Sequence, residues 1–295
     1  MITGIFISLL NPVFVSLQNV AARKGLTRGD VEDMAVVFSR LFYVVPVLLA
    51  YLWWKGMPAK IDPYFWPTML VLVLLEIPSQ WFFHQAIKTE QISLVMPIST
   101  LIMIPMLSSF VFFSGWSWLG FAGSMTVAFG VYLLQASKEG LSTHNLLAPI
   151  RSIITNKASR YMLYTIVLWS ITTPLQKVTA NQSSVAFMGV IYLSGCSIGV
   201  IVWRLIRRQS VKSVIAPPGT VRLIPVGLLA GGGSITQYWA LSVMNPVYVI
   251  ALKETILLWA IIWDRMFFGH KPSKMQIAST CLVVIGAAMV GISMY

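Results

Sequence analysis

Apolar residues in this chain gather in runs of roughly twenty, broken by short polar stretches, as in "SRLFYVVPVLLAYLWW" (Ser39 to Trp54). A helix rises about 1.5 Å per residue, so about 20 mostly apolar residues cross a hydrocarbon core about 30 Å thick. Ten windows meet that length, at about residues 3–21, 34–54, 65–87, 92–113, 118–136, 160–178, 185–206, 220–241, 247–268 and 275–294. Little chain is left for a soluble domain. The pattern predicts an all-α integral membrane protein with ten transmembrane helices.

Composition agrees, with 57% hydrophobic and 10% charged residues, against about a quarter charged in ordinary soluble domains. The net charge of +12 would suggest a nucleic-acid partner in a soluble protein. Here the cations fall between the apolar runs, so no nucleic acid is expected. Arg23, Lys24, Lys88, Lys138, Arg207 and Lys271 all follow odd-numbered windows, whereas Lys55 and Lys60 follow an even one. The positive-inside rule then places the first side in the cytoplasm and both termini outside a cytoplasmic (inner) membrane. Between the windows, residues 137–159 read as a surface helix on the inner leaflet, because Leu146, Leu147, Ile150, Ile153 and Ile154 share one face. Cys196 and Cys281 lie inside predicted helices, giving neither a disulfide framework nor a metal-ligand spacing. No cofactor is expected.

The two halves echo one another. "SLQNV" (Ser16 to Val20) recurs as "PLQKV" (Pro174 to Val178), and "QWFFHQAI" (Gln80 to Ile87) parallels "QYWAL" (Gln237 to Leu241). A unit of five spans begins and ends on opposite faces of the membrane, so a second copy is inverted relative to the first. Inverted repeats characterise secondary transporters, whose substrate site lies near the midplane. The expected organisation is a first five-helix repeat at 1–136, a connection at 137–159 and a second repeat at 160–295.

Several stretches then resemble the EamA group of the drug/metabolite transporter superfamily. "LWSITTPLQKV" (Leu168 to Val178) is similar to the motif that opens each half of that group. "ALKETILLWAIIWDRMFFGHKPSKMQIASTCLVVIGAAMV" (Ala251 to Val290) is similar to its closing helices, and "FSRLF" around Arg40 agrees in the first half. Thr255 stands where the group has a proline, and His270 where it has an acid. The resemblance implies two inverted five-helix units around a central cavity and transport of a small metabolite.

Ionisable groups at membrane depth cost at least about 2.5–3.5 kcal/mol each on insertion scales, so they mark partners or pathways. Glu76, Gln80 and His84 follow one another at four-residue spacing and share a helix face. Lys253 and Glu254 are adjacent and diverge by about 100 degrees around a continuous helix. Glu254 matches the group's intramembrane glutamate, and it could bind a cation, exchange a proton, or sit in a fixed salt bridge to Lys177 or Arg40. Gly231 to Gly233 either pack closely or expose carbonyls. Prolines 12, 46, 78, 97, 105 and 174 interrupt helices, and Trp53, Trp54 and Trp66 suit an interfacial belt.

The candidate substrate-binding residues are Glu254, Glu76, Gln80, His84, Gln18, Trp169, Gln176, Lys177, Gln237 and Tyr238. The leading expectation is a secondary active transporter of a small polar or amphipathic organic metabolite, working by alternating access and coupled to protons through Glu254. One alternative is a flippase-like carrier of an amphipathic or lipid-linked substrate. Another is a membrane-embedded enzyme using Glu76 and His84 as acid and base, which the missing nucleophile motif disfavours. Expected partners are the small-molecule substrate, membrane lipids and protons, in a monomer or homodimer. A cysteine added after Tyr295, in a background without Cys196 and Cys281, should react with an impermeant thiol reagent in intact cells; protection until the membrane is opened would reverse the topology.

Overall fold

The computed structural model describes residues 2–26, 32–89, 117–138, 156–217, 221, 223–268 and 273–293. Among them the regular elements are helices: α1 (Ile2–Leu26), α2 (Asp33–Phe42), α3 (Val44–Lys55), α4 (Phe65–Thr89), α5 (Trp118–Lys138), α6 (Lys157–Gln182), α7 (Val185–Ile206), α8 (Lys212–Ile215), α9 (Ile224–Val243), α10 (Pro246–Lys253), α11 (Ile256–Phe268) and α12 (Lys274–Ile292). Helices dominate because a bilayer offers backbone amides no water, and a helix satisfies them within its own segment. Four stretches among the described residues are long and apolar enough to span: Met34–Lys55, Phe65–Phe83, Val185–Ile206 and Lys274–Ile292. The expected window at 92–113 and most of the expected surface helix, residues 139–155, lie outside the described residues.

Two windows expected as single helices are broken. The span Met34–Lys55 is interrupted at Tyr43, three residues before Pro46. A proline lacks the amide that would bond the carbonyl four residues back and its ring crowds that carbonyl. The window at 247–268 is interrupted at Glu254 and Thr255, between α10 and α11, with no proline at the break. Thr255 does the work instead: its amide donates to Leu252 O at 3.2 Å and its hydroxyl to the same oxygen at 2.7 Å. That carbonyl is thus held by Thr255, three residues on, which tightens the last turn. By contrast, α1, α4 and α6 run through Pro12, Pro78 and Pro174. Prolines 97 and 105 lie outside the described residues.

Contacts divide the chain into two compact units, each assembled from both halves of the sequence. The first comprises Met1–Leu9, Ser79–Thr173 and Val243–Tyr295. Its centre is the close pairing of α5 with α12. A Cβ on Gly123 would stand 2.7 Å from Gly286 O, and a Cβ on Gly286 would stand 2.6 Å from Gly123 O. Backbone meets backbone at these positions, so only glycine fits. Gly120 extends the contact to α10, where a Cβ would fall 2.3 Å from the Tyr248 hydroxyl. Ser273 and Gln276 form a capping box at the start of α12.

The second unit comprises Leu10–Pro78 and Pro174–Ser242. Phe38, Val44, Leu48, Phe65, Met188 and Tyr192 are among its buried core residues. The glycine run of α9 lies in continuous helix and serves packing: added Cβ atoms would meet Val47 at Gly231 and Phe14 at Gly232, at 2.9 and 2.7 Å. The expected alternative, an unwound run, does not occur. Asn11 locks the same place by donating to Gly233 O at 2.6 Å. Arg204, buried in α7, pairs with Glu32 and donates to Gln209 at 3.1 Å. Trp53, Trp54 and Trp66 are exposed near the adjoining ends of α3 and α4, as an interfacial belt requires, and the Lys55 amine rides 4.3 Å over the Trp54 ring.

Gly123→Leu should lower the thermal midpoint of the purified protein by several degrees, since overpacking against backbone costs roughly 1–3 kcal/mol. Gly233→Ala, whose nearest neighbour stands at an ordinary 3.4 Å, should move it little; equal tolerance of the two changes would refute the backbone contact.

Candidate functional site

The second unit holds a buried chain of polar side chains contributed by four helices. Gln237 on α9 donates from Nε2 to Gln176 Oε1 on α6 at 3.2 Å. Gln176 donates in turn to the Tyr192 hydroxyl on α7 at 3.4 Å, and the Glu76 carboxylate on α4 acts electrostatically on that hydroxyl. Tyr238, on α9 beside Gln237, sets its ring 6.1 Å from that of Tyr192 at 73°. Each polar group here lies in an otherwise apolar helix, where burial without a partner costs on the order of 1–3 kcal/mol. A linked chain satisfies several members at once and so fixes their rotamers.

Arg40, on α2 just before the bend at Tyr43, joins this cluster. Its guanidinium couples electrostatically to Glu76, Tyr238 and Tyr192. Arg40, weighed from the sequence as a salt-bridge partner for Glu254, falls in the second unit with Glu76, and Glu254 falls in the first. Lys177, the other candidate partner, donates to Leu241 O at 2.8 Å and to Ser242 O at 3.4 Å. The amine therefore caps the carboxyl end of α9, where a cation meets both free carbonyls and the negative end of the helix dipole.

The structure gathers Glu76, Gln176, Gln237 and Tyr238 from the sequence-derived candidates. Gln18 is buried on α1 in the same unit. Gln80, though one turn beyond Glu76, falls in the first unit and is buried there. Trp169 also lies in the first unit, with its ring 5.4 Å from that of Phe83. Glu254 is the C-cap of α10, at the break before α11, in the first unit. The His84 side chain lies outside the described residues. Two members of the cluster were absent from the candidate set: Arg40, for which a charge inside an apolar window was the available signal, and Tyr192, which in sequence is indistinguishable from a packing aromatic.

Comparison with known proteins adds to this geometry. Residues 157–292, running from the start of α6 to the end of α12, match the model of the EamA-like transporter family. The match contains Gln176, Tyr192, Gln237, Tyr238 and Glu254, and together with the four apolar helices long enough to span it supports a multi-pass membrane protein. A solved structure titled "Crystal structure of protein" is similar in fold, with a TM-score of 0.76 at 14% identity, covering 98% of this chain and 98% of that one. No curated protein matches.

Tyr192→Phe removes the hydroxyl that accepts from Gln176 while keeping the ring. It should lower the thermal midpoint by an amount equivalent to roughly 1–3 kcal/mol, and Tyr192→Phe combined with Gln176→Leu should lose less than the two single changes summed. Strict additivity would show that the groups do not form one network.

Proposed function

We propose that the chain is a secondary active transporter that carries a small polar or amphipathic organic metabolite across the cytoplasmic membrane. The observation that carries this reading is the buried hydrogen-bonded chain from Gln237 through Gln176 to Tyr192, lying in a protein whose residues 157–292 match a transporter family. Apolar helices that bury such a chain hold donors and acceptors which a polar ligand can take over in exchange for its hydration shell.

In this reading the ten spans form two inverted repeats, 1–136 and 160–295, and alternating access exposes the cluster to each side in turn. Both termini face outward. Glu254 is the coupling group. It sits where α10 ends, at the break fixed by Thr255, and discontinuous helices are where secondary transporters hold their coupling ions. A proton taken up on one side neutralises the carboxylate and lets it cross the apolar interior. Protons and the metabolite are then the partners, and the driving force is an ion gradient, since the sequence carries no phosphate-binding loop.

The test uses protein reconstituted in liposomes with a substrate found by thermal-shift screening, since a ligand that binds the folded form raises its melting temperature. Glu254→Gln should reduce uptake driven by an imposed proton gradient at least tenfold while leaving substrate counterflow near the wild-type rate. Undiminished gradient-driven uptake would remove Glu254 from the coupling step, and failure of the wild-type protein to catalyse counterflow would remove the transport reading itself.

A further inference from the structure

The end of α7 departs from a local backbone rule. Among the described residues, Arg208 is the one non-glycine residue with a positive φ, at 53°. The bonds around it close a tight turn: the Gln209 amide donates to Arg204 O and the Arg208 amide to Leu205 O, each at 3.0 Å. Helices that end with this pair of bonds usually carry glycine at the left-handed position, because a Cβ disfavours that conformation. Here the position carries an arginine, and the backbone is held against its preference.

A clasp on one carboxylate holds it. Glu32, the N-cap of α2, pairs with the Arg204 guanidinium through one oxygen and accepts from the Ser213 hydroxyl on α8 through the other, the latter at 3.0 Å. Arg204 also donates to Gln209 Oε1 at 3.1 Å, and Val214 of α8 is buried in the core of the second unit. The turn between α7 and α8 is therefore pinned from both sides. Arg207, Arg208 and Lys212 are exposed on it and form no salt bridge with any described residue. The Arg207 guanidinium lies 4.8 Å over the Trp203 ring, which keeps that side chain against the helix end.

Position then selects the partner. The apolar span Val185–Ile206 stops just before these cations, so they stand where the helix leaves the hydrocarbon. Beside them Leu205 is 60% exposed, Ile206 72% and Ile215 44%. A nucleic acid or an acidic protein would match the charges and leave those apolar side chains in water, whereas a neutral lipid would cover the apolar side chains and leave the charges unmatched. An anionic phospholipid does both, with its phosphate on the guanidinium forks and its acyl chains along Leu205 and Ile206. Orienting a helix in the membrane needs positive charge alone and is indifferent to backbone conformation, so it gives no account of an arginine at a left-handed position. We propose that the turn at residues 207–212, with Arg208 at its centre, is a binding site for the headgroup of an anionic phospholipid.

The experiment uses the full-length protein in mild detergent and titrates it with dioleoyl phosphatidylglycerol or dioleoyl phosphatidylcholine, counting bound lipids by native mass spectrometry. The first phosphatidylglycerol should bind roughly tenfold or more tightly than the first phosphatidylcholine, and each basic residue removed from the turn should cost roughly fivefold of that preference. Arg208→Gly relieves the backbone, so it should keep or raise the thermal midpoint while weakening phosphatidylglycerol binding; a loss of affinity in this variant is not a loss of fold. Arg207→Gln with Lys212→Gln should weaken it further, and Lys55→Gln with Lys60→Gln, which removes two charges elsewhere in the second unit, should leave it unchanged. Equal binding of the two lipids by wild-type protein, full phosphatidylglycerol affinity in Arg208→Gly, or an equal loss in the Lys55 and Lys60 variant would overturn the proposal. Free glycerol 3-phosphate should not displace the bound lipid; displacement would mark a small-anion site and overturn it as well.

Discussion

A hydrocarbon interior supplies no water, so every buried donor and acceptor must find its partner within the protein. That requirement arranges the second unit of this molecule. It ties Asn11 to the Gly233 carbonyl, sets the Lys177 amine against the last carbonyls of α9, and couples Arg204 to Glu32. The same requirement produces the chain from Gln237 through Gln176 to Tyr192. Helix packing brings those side chains near each other, and the cost of leaving any of them unmatched holds them in register.

Close packing supplies the complementary constraint. With lipid tails as apolar as leucine, helices gain little from hiding apolar surface from one another, so association depends on intimate fit. Gly123 and Gly286 give α5 and α12 that fit in the first unit, and Gly231 and Gly232 do the same between α9 and its neighbours in the second. Large apolar side chains such as Phe6, Leu70, Ile198 and Ile285 are left exposed. In a soluble protein such exposure would be a liability, and facing lipid it costs nothing.

The parts of this architecture legible in sequence are those written locally. Runs of apolar residues mark helices because each helix satisfies its own backbone, and Glu76, Gln176 and Gln237 are conspicuous because polar side chains in such runs demand a reason. Other features depend on partners distant in the chain. Nothing near Lys177 reveals that α9 ends beside it, and Tyr192 is a packing aromatic until Gln176 and Glu76 are placed around it. The break at Glu254 was concealed differently: proline is the familiar signal, whereas Thr255 achieves it through its hydroxyl and its amide on one carbonyl. Contact units that draw on both halves are equally invisible to a reading that finds repeats by their order, because sequence copies and contact groups are different partitions of one chain.

The pairing of α5 with α12 bears on how the protein is made. Gly123 emerges from the ribosome early and Gly286 late, with the whole second unit's α7 and α9 synthesised between them. Helix α5 must therefore wait in the bilayer, its glycine face covered by lipid, until the last span has been inserted. Biogenesis of the first unit is thus governed by the translocon's final steps, and its assembly is post-insertional even where the second unit matures during translation.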